Sequence, residues 1–596
     1  MPVPAPDERR PIHQASHAAP SDGPTPRSRE IRVRLTLLAA ATVVVWTTYW
    51  PTLGHEFVYD DYYLVRPHTW SEVRGGLTGS WYTDGVMVPF YRPLTVLFHA
   101  ARFEILHFDP LMHHGLSLAL FAVVASLAGW IAFRVTGVSW VALLGVAAVG
   151  THPGLPYALA AWITNQMHLL QSLVVLGAIG WWVRYRRRDV TWWWPLLVFQ
   201  VASFCIKEDG IVLLPSIALL EVIYRRVVER RWGLPPIGFL IGSLLLTIGL
   251  MALRSWALEG LGGYRAVDLQ QATANLARGL YRTLCYQPFD RPGKTVAGTL
   301  VVLLTVAGAT GMVRTLSRRP DLGGGTPSPG SLTSRCLFLL LAGLVVAFSF
   351  NLPFAFVTKR EQWYLLAIGG AVAFTGGAAW LLLALRTRVT RALVLALIGT
   401  ALISSAWVAR QMADDFSPTH PNTLYTDGIV VEWPRIAPEI RDFLARKQRA
   451  IGEGTNTPRL SDLPLLAYGV HEWEAEPGGR TFRWTTSRVD LYVHHHMARL
   501  DLPIRAFPRG SDSVSLLIRG GRRDLGPFAI DHASWISVPI ELRPSRWRWR
   551  RSVVELSVDP TWKPADLYPG SNDPRVLGVK LGEASSTPGS PGREPD

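Results

Sequence analysis

Long apolar blocks dominate this chain and leave few ways for it to fold. A helix needs about 20 mostly apolar residues to cross the roughly 30 Å hydrocarbon core of a bilayer, and about eleven runs approach or reach that length. They lie near 33–53, 111–133, 138–151, 157–183, 192–206, 210–224, 235–253, 295–313, 336–357, 364–385 and 392–410. The runs at 138–151 and 192–206 are short for a full crossing. With 49% hydrophobic content over 596 residues, the chain reads as a polytopic α-helical membrane protein.

The net charge of +15 does not point to nucleic acid, because the arginines collect at alternate ends of the apolar runs. Arg27, Arg29, Arg32 and Arg34 precede the first, Arg134 follows the second, and Arg184 to Arg188 follow the fourth. Arg225, Arg226, Arg230 and Arg231 continue the series, then Arg314, Arg318 and Arg319, then Arg386, Arg388 and Arg391. Basic residues mark cytoplasmic loops, so the N-terminus is expected in the cytoplasm and, with an odd number of spans, the C-terminal region outside. The Trp181-Trp182 and Trp192-Trp193-Trp194 clusters fit aromatic belts at the membrane surface. Residues 1–32, rich in Pro, Ser and Arg, read as a disordered cytoplasmic tail, and the late, long first apolar block does not read as a cleavable signal. Cys205, Cys285 and Cys336 suggest neither a disulfide framework nor a metal centre.

After the last apolar run the pattern changes. Residues 411–450 read as a juxtamembrane linker, and 451–596 as an extracytoplasmic β-sandwich. Short alternating stretches such as Val514–Ile518 and Val553–Val558, punctuated by Gly, Pro, Asp and Asn, carry that reading. The Arg-Trp repeat from Arg546 to Arg551 suits sugar stacking, a lipid surface or an alternating edge strand.

The polar residues that call for a function fall on the outer side. Asp60 and Asp61, in Tyr59-Asp60-Asp61-Tyr62-Tyr63 just after the first run, are two adjacent carboxylates at a membrane surface, where ionised groups are costly. The same side holds Tyr91-Arg92-Pro93-Leu94, His113, His114, His152, Asn165, Lys207, Glu208 and Lys359-Arg360-Glu361 with Tyr364. Helix ends that converge on one face would gather these acids, histidines and cations into one pocket.

In order along residues 33–380, these motifs resemble the GT-C class of membrane glycosyltransferases, above all the protein O-mannosyltransferase branch and its bacterial polyprenyl-phosphate-sugar-dependent relatives. The likeness runs through Phe57-Val58-Tyr59-Asp60-Asp61, Tyr91-Arg92-Pro93-Leu94, Pro110-Leu111-Met112-His113-His114, His152-Pro153 with Ala160-Ala161-Trp162-Ile163, Lys207-Glu208-Asp209-Gly210, and Arg360-Glu361-Gln362-Trp363-Tyr364-Leu365. Asn572 to Val579 resembles the close of jelly-roll-like domains appended to bacterial members. The chain departs from the class at Thr164-Asn165-Gln166-Met167-His168, where relatives often carry Gly-Arg before an acid, and at Arg360-Glu361-Gln362-Trp363-Tyr364, where they often read Glu-Arg-Tyr.

The resemblance implies an enzyme that transfers a sugar, with inversion, from a polyprenyl-phosphate donor in the bilayer to an extracytoplasmic protein, lipid or glycan. A hydroxyl acceptor needs a general base, and Asp60 is expected to fill that role. Asp61 would orient it, bind the acceptor or share a divalent cation, Mg or Mn, with it. Lys207, Arg360 and Arg92 are expected to meet the donor phosphate, with Tyr364 as a further donor group. His113, His114 and Glu208 are candidates for substrate or metal contact. The inner, cytoplasmic membrane of a bacterium is the expected location. Two other readings fit the same composition: a transporter or flippase for a lipid-linked or polar solute, and a non-catalytic envelope protein that binds sugar through its C-terminal domain.

Overall fold

The computed structural model describes residues 26–80, 90–152, 163–186, 193–260, 268–276, 331–355, 364–414, 436–506, 513–530, 534–543, 550–568 and 570–588, with isolated positions between 299 and 310. The membrane part is built from α1 (Pro26–Tyr49), α2 (Asp61–Leu64), α3 (Trp70–Thr78), α4 (Pro93–Leu106), α5 (Pro110–Thr136), α6 (Ser139–Gly150) and α7 (Gln166–Tyr185). It continues through α8 (Trp194–Ile206), α9 (Leu213–Val227), α10 (Ile237–Ala257), α11 (Leu332–Ala355), α12 (Tyr364–Ala384) and α13 (Arg388–Asp414). Helices occupy every expected span except 295–313, most of which lies outside the described residues. Among the described residues, seven are long and apolar enough to cross a membrane, while α6 and α8 are shorter apolar helices.

Local sequence explains the boundaries. In α5 the Asp109 side chain accepts from the Met112 amide at 3.2 Å, Pro110 opens the first turn, and Gly137 closes the helix at φ 75°, the expected cap chemistry at both ends. Helices α11 and α12 lie backbone to backbone. A Cβ at Gly343, Gly369 or Gly376 would collide with main-chain atoms of the facing helix, which is small-residue packing of the kind that lets membrane helices approach closely. The first expected boundary moves, because α1 begins at Pro26, inside the stretch expected as a tail.

The arginines that end several helices lie close together. Glu30 at the start of α1 meets Arg34 at 2.6 Å, Arg134 at the end of α5 at 3.9 Å and Arg184 at the end of α7 at 3.8 Å. Near the end of α7, Arg186 bridges Glu221 at 3.0 Å and Glu229 at 2.9 Å. The basic ends of these helices therefore share one end of the bundle.

Most of the expected linker that is described is a helix, α14 (Pro438–Gly452), which buries Ile440, Phe443 and Leu444. It leads into the β domain, whose strands are β1 (Leu465–Ala475), β2 (Thr481–Val493), β3 (Met497–Arg505), β4 (Val514–Arg519), β5 (Leu525–Ile530), β6 (Ile536–Glu541), β7 (Ser552–Asp559), β8 (Lys580–Gly582) and β9 (Ser585–Pro588). They form one antiparallel sheet in the order β5-β4-β7-β2-β8-β3-β6, with β1 on β2 and β9 on β3. Its own core holds Val489, Leu491, Leu502, Ile504, Leu516 and Leu556.

A second core fastens this domain to the outer loops. Phe57, Tyr62, Phe103 and Phe108 share one buried cluster with Ile440, Phe443, Leu466 and Tyr492. Around it, Arg551 donates to the carbonyls of Leu463 at 2.6 Å and Leu460 at 2.9 Å, and Arg550 donates to His107 Nε2 at 3.0 Å. Of these two arginines of the Arg-Trp repeat, Arg550 thus reaches the membrane part through His107, while Arg551 ties β7 to the segment that precedes β1; the residues from 544 to 549 lie outside the described set.

Candidate functional site

The adjacent acids sit in a tight turn with a strained entry. Tyr59 has φ 49°, a left-handed conformation that costs a bulky residue roughly 1–2 kcal/mol. The Asp61 amide donates to the Val58 carbonyl at 3.0 Å, and the Leu64 amide to that of Asp60 at 3.1 Å. Both side chains are buried, Asp60 at 5% and Asp61 at 0% exposure.

The two carboxylates have different surroundings. Asp61 Oδ1 accepts from the Thr164 amide at 2.7 Å and the Thr164 hydroxyl at 2.8 Å; its Oδ2 accepts from the amides of Val58 at 3.1 Å and Ile163 at 3.3 Å. With four donors converging on it, Asp61 is a staple between the first outer loop and the start of α7. Burial pushes its carboxyl up to about 6, against the pull of the Thr164 and Val58 donors and the charge of Arg102. It is mostly ionised at neutral pH. Asp60 stands at the N-cap of α2, but its side chain does not cap that turn. The expected Mg or Mn cradle of two carboxylates does not fit this geometry, since both oxygens of Asp61 are already committed to protein donors.

Facing the acids is Arg102 of α4, a residue the sequence reading did not single out. Its Nη1 donates to the Ile163 carbonyl at 3.2 Å and to Gln166 Oε1 at 2.9 Å. Its Nε and Nη2 are buried and have no hydrogen-bond partner among the described residues, and the same holds for Asn165 Nδ2. Burial draws the guanidinium down to about 10, and the charges of Asp61 and Asp60 act against that. An amphipathic His-Ala-Ala-Arg-Phe-Glu stretch gave little sign of this; the one available signal was an arginine on an otherwise apolar helix face.

The expected phosphate-binding cations are placed differently. Arg92 is 2% exposed and forks onto Glu208, Nε to Oε2 at 2.8 Å and Nη2 to Oε1 at 2.6 Å. This guanidinium holds the Glu208 carboxyl down at about 2 despite burial. Lys207 Nζ donates to Asp209 Oδ2 at 3.1 Å, and Asp209 also accepts from Gln171. The turn 207–209 thus supplies one acid to each cation. Gly210 completes it, because a Cβ there would strike the backbone of Ser203 and Phe204.

His113 and His114 are fully buried behind the acid loop. His113 Nε2 lies 2.8 Å from the His107 carbonyl and its ring packs edge-on to Phe57, while His114 packs edge-on to His55. Arg360 and the side chain of Tyr364 lie outside the described residues. Asp60, Asp61, Arg102, Asn165, His113 and the Arg92–Glu208 pair are gathered in and around the outer loops, at helix ends away from the arginine cluster at Glu30.

Fold and site together define a multi-pass, helical membrane protein with a buried acid–arginine constellation beside a C-terminal β domain. No family model matches the chain, and no curated protein matches it. Among solved structures, it is similar to the Archaeoglobus fulgidus oligosaccharyltransferase tethered with an acceptor peptide, at 10% identity and a TM-score of 0.41, over 73% of this chain and 60% of that one. The archaeal oligosaccharyltransferase AglB of the same organism, in complex with an inhibitory peptide and a dolichol-phosphate, gives 11% identity and 0.38 over 75% and 62%. Arabinosyltransferase EmbB from Mycobacterium smegmatis gives 12% identity and 0.33 over 97% and 66%. The chain thus spans about three fifths of the archaeal enzymes' length. TM-scores of this size describe a loose overlap of architecture and assign no activity.

Proposed function

We propose that the chain is an integral-membrane glycosyltransferase of the GT-C kind that moves a sugar from a polyprenyl-phosphate donor to an acceptor on the outer face of a bacterial cytoplasmic membrane. The observation that carries this reading is a buried carboxylate, Asp60, within the electrostatic reach of a buried arginine with two uncommitted N–H groups. Such a pair suits a reaction that takes a proton from a hydroxyl while a phosphate leaves.

In this reading Asp60 accepts the proton of the acceptor hydroxyl as its oxygen attacks the anomeric carbon. The bond from that carbon to the phosphate oxygen breaks on the opposite face, so the configuration inverts. Arg102 Nε and Nη2, with Asn165 Nδ2, donate to the departing phosphate, where prepositioned donors in a water-poor site are most effective. Asp61 holds the loop that carries Asp60, and the Arg92–Glu208 and Lys207–Asp209 pairs brace the turn behind it. No step is routed through a metal ion.

The test is turnover of a panel of radiolabelled polyprenyl-phosphate sugars by the purified protein with acceptor extract. Transfer from one donor, with inversion, supports the proposal. Failure with every donor, by protein whose melting transition shows it folded, would transfer the weight to transport of a lipid-linked solute.

A further inference from the structure

The turn between β2 and β3 carries His494-His495-His496, which the transfer reaction leaves without a role. Ligand atoms of these three side chains lie within 4.8 Å of one another, the one such group of His, Cys, Asp and Glu among the described residues. Their rings pack at a tilt, with centroids 4.3 Å apart for His494–His495, 3.8 Å for His495–His496 and 4.9 Å for His494–His496. Consecutive strand residues point to opposite faces, so bringing three neighbours together takes a turn of this kind.

Backbone hydrogen bonds fix that turn. The His494 amide donates to the Pro464 carbonyl at 2.8 Å, and the Met497 amide returns to the His494 carbonyl at 3.0 Å. The His496 amide reaches His494 Nδ1 at 3.4 Å, and at that length a metal displaces little by taking its place. Asp462 and Arg551 are the nearby charged groups that act on His494; the arginine is tied to the carbonyls of Leu460 and Leu463. Two residues before the turn, Tyr492 packs on His107 and Phe108 of the membrane part, at 5.7 and 5.1 Å between ring centres. The histidines therefore lie beside the seam that joins the two domains.

We propose that His494, His495 and His496 form a binding site for a late transition-metal ion of the Zn²⁺ class. Imidazole nitrogens select Zn, Co, Ni and Cu, whereas Mg and Ca prefer oxygen donors. Tetrahedral Zn–N bonds of about 2.0–2.1 Å bring ligand nitrogens to about 3.4 Å from one another, a closure of little more than 1 Å from the present spacing that ring rotation supplies. Three protein ligands leave a fourth position for water. A metal there would cross-link the three side chains and stiffen the β2–β3 turn.

The full-length protein, stripped with chelator in detergent, is titrated with Zn²⁺ by calorimetry and with Co²⁺ by visible absorption. The expected result is one saturable equivalent, intense Co²⁺ bands of tetrahedral type, and no displacement by excess Mg²⁺. His495→Asn should weaken binding at least about tenfold, and the triple His→Asn variant should abolish the bands. The single variant, which leaves every backbone bond of the turn in place, keeps the test valid if the triple variant is poorly folded. No saturable equivalent, only weak octahedral-type bands, or unchanged binding in His495→Asn overturns the proposal.

Discussion

Removing one partner of the Arg92–Glu208 pair should destabilise the protein far more than removing both. Glu208→Gln leaves a guanidinium at 2% exposure facing a neutral amide in place of two bonds of 2.8 and 2.6 Å. Unit charges about 4 Å apart attract by about 4 kcal/mol at an effective dielectric of about 20. Linkage gives a similar figure: a carboxyl that titrates at 4.5 when free and at about 2 when folded contributes roughly 3 kcal/mol. Because the folded value is depressed, that stability is complete above pH 4.5 and is lost as pH falls towards 2. Breaking a buried pair typically costs roughly 3–5 kcal/mol, while exchanging both members for apolar groups costs far less. The assay is thermal unfolding in detergent, followed by tryptophan fluorescence. Glu208→Gln should melt many degrees below wild type at pH 7 and much closer to it at pH 3, and Arg92→Met with Glu208→Leu should recover most of the loss. A single variant that melts within about 1 °C of wild type at pH 7, or a double variant no better than the single, would refute the assignment of this pair as structural.

Three more outcomes follow from the same surroundings. Burial raises the Glu56 carboxyl to about 7, against the pull of Lys447, so ionising it costs stability progressively from pH 4.5 to 7; Glu56→Gln should exceed wild type at pH 8 by up to roughly 3 kcal/mol and match it near pH 4.5, and equal melting at both pH values would contradict this. Arg102→Lys keeps the charge but loses the planar fork, and should lower transfer by roughly 10²–10³-fold with a melting temperature close to wild type; undiminished turnover would remove Arg102 from the phosphate. Asp61→Asn turns one of its two acceptor oxygens into an NH2 group that faces either the Thr164 donors or the amides of Val58 and Ile163, so it should cost roughly 1–3 kcal/mol of stability as well as activity, and a variant as stable as wild type would show that the staple is not needed.

The membrane architecture was legible because bilayer crossing imposes a length and a polarity that no local context overrides. Alternating arginines also marked helix ends that lie together, where Glu30 contacts Arg34, Arg134 and Arg184. The β domain was legible through period-two alternation in strands such as β4 and β7. The pairing of charges was not. Arg92 and Glu208 lie 116 residues apart, and a single sequence does not tell a cation waiting for phosphate from one already satisfied by a carboxylate. The two acids of Tyr59-Asp60-Asp61 look alike on paper; what separates them is the Ile163–Thr164 backbone, brought in by the start of α7. Arg102 escaped notice because α4 is too short for a span and its motif, Tyr91-Arg92-Pro93-Leu94, ends in its first turn, two turns before Arg102. Its importance arises only once Asp60, Asp61 and Gln166 surround it.

The central claim is that Asp60 carries the chemistry while its neighbour carries the loop. The most direct measurement is donor turnover by purified Asp60→Asn beside wild type, with the radiolabelled polyprenyl-phosphate sugar the wild type accepts and with melting temperatures matched. The account predicts a loss of roughly 10²–10⁴-fold in a protein that melts like wild type. Turnover retained in full by the folded variant would contradict it.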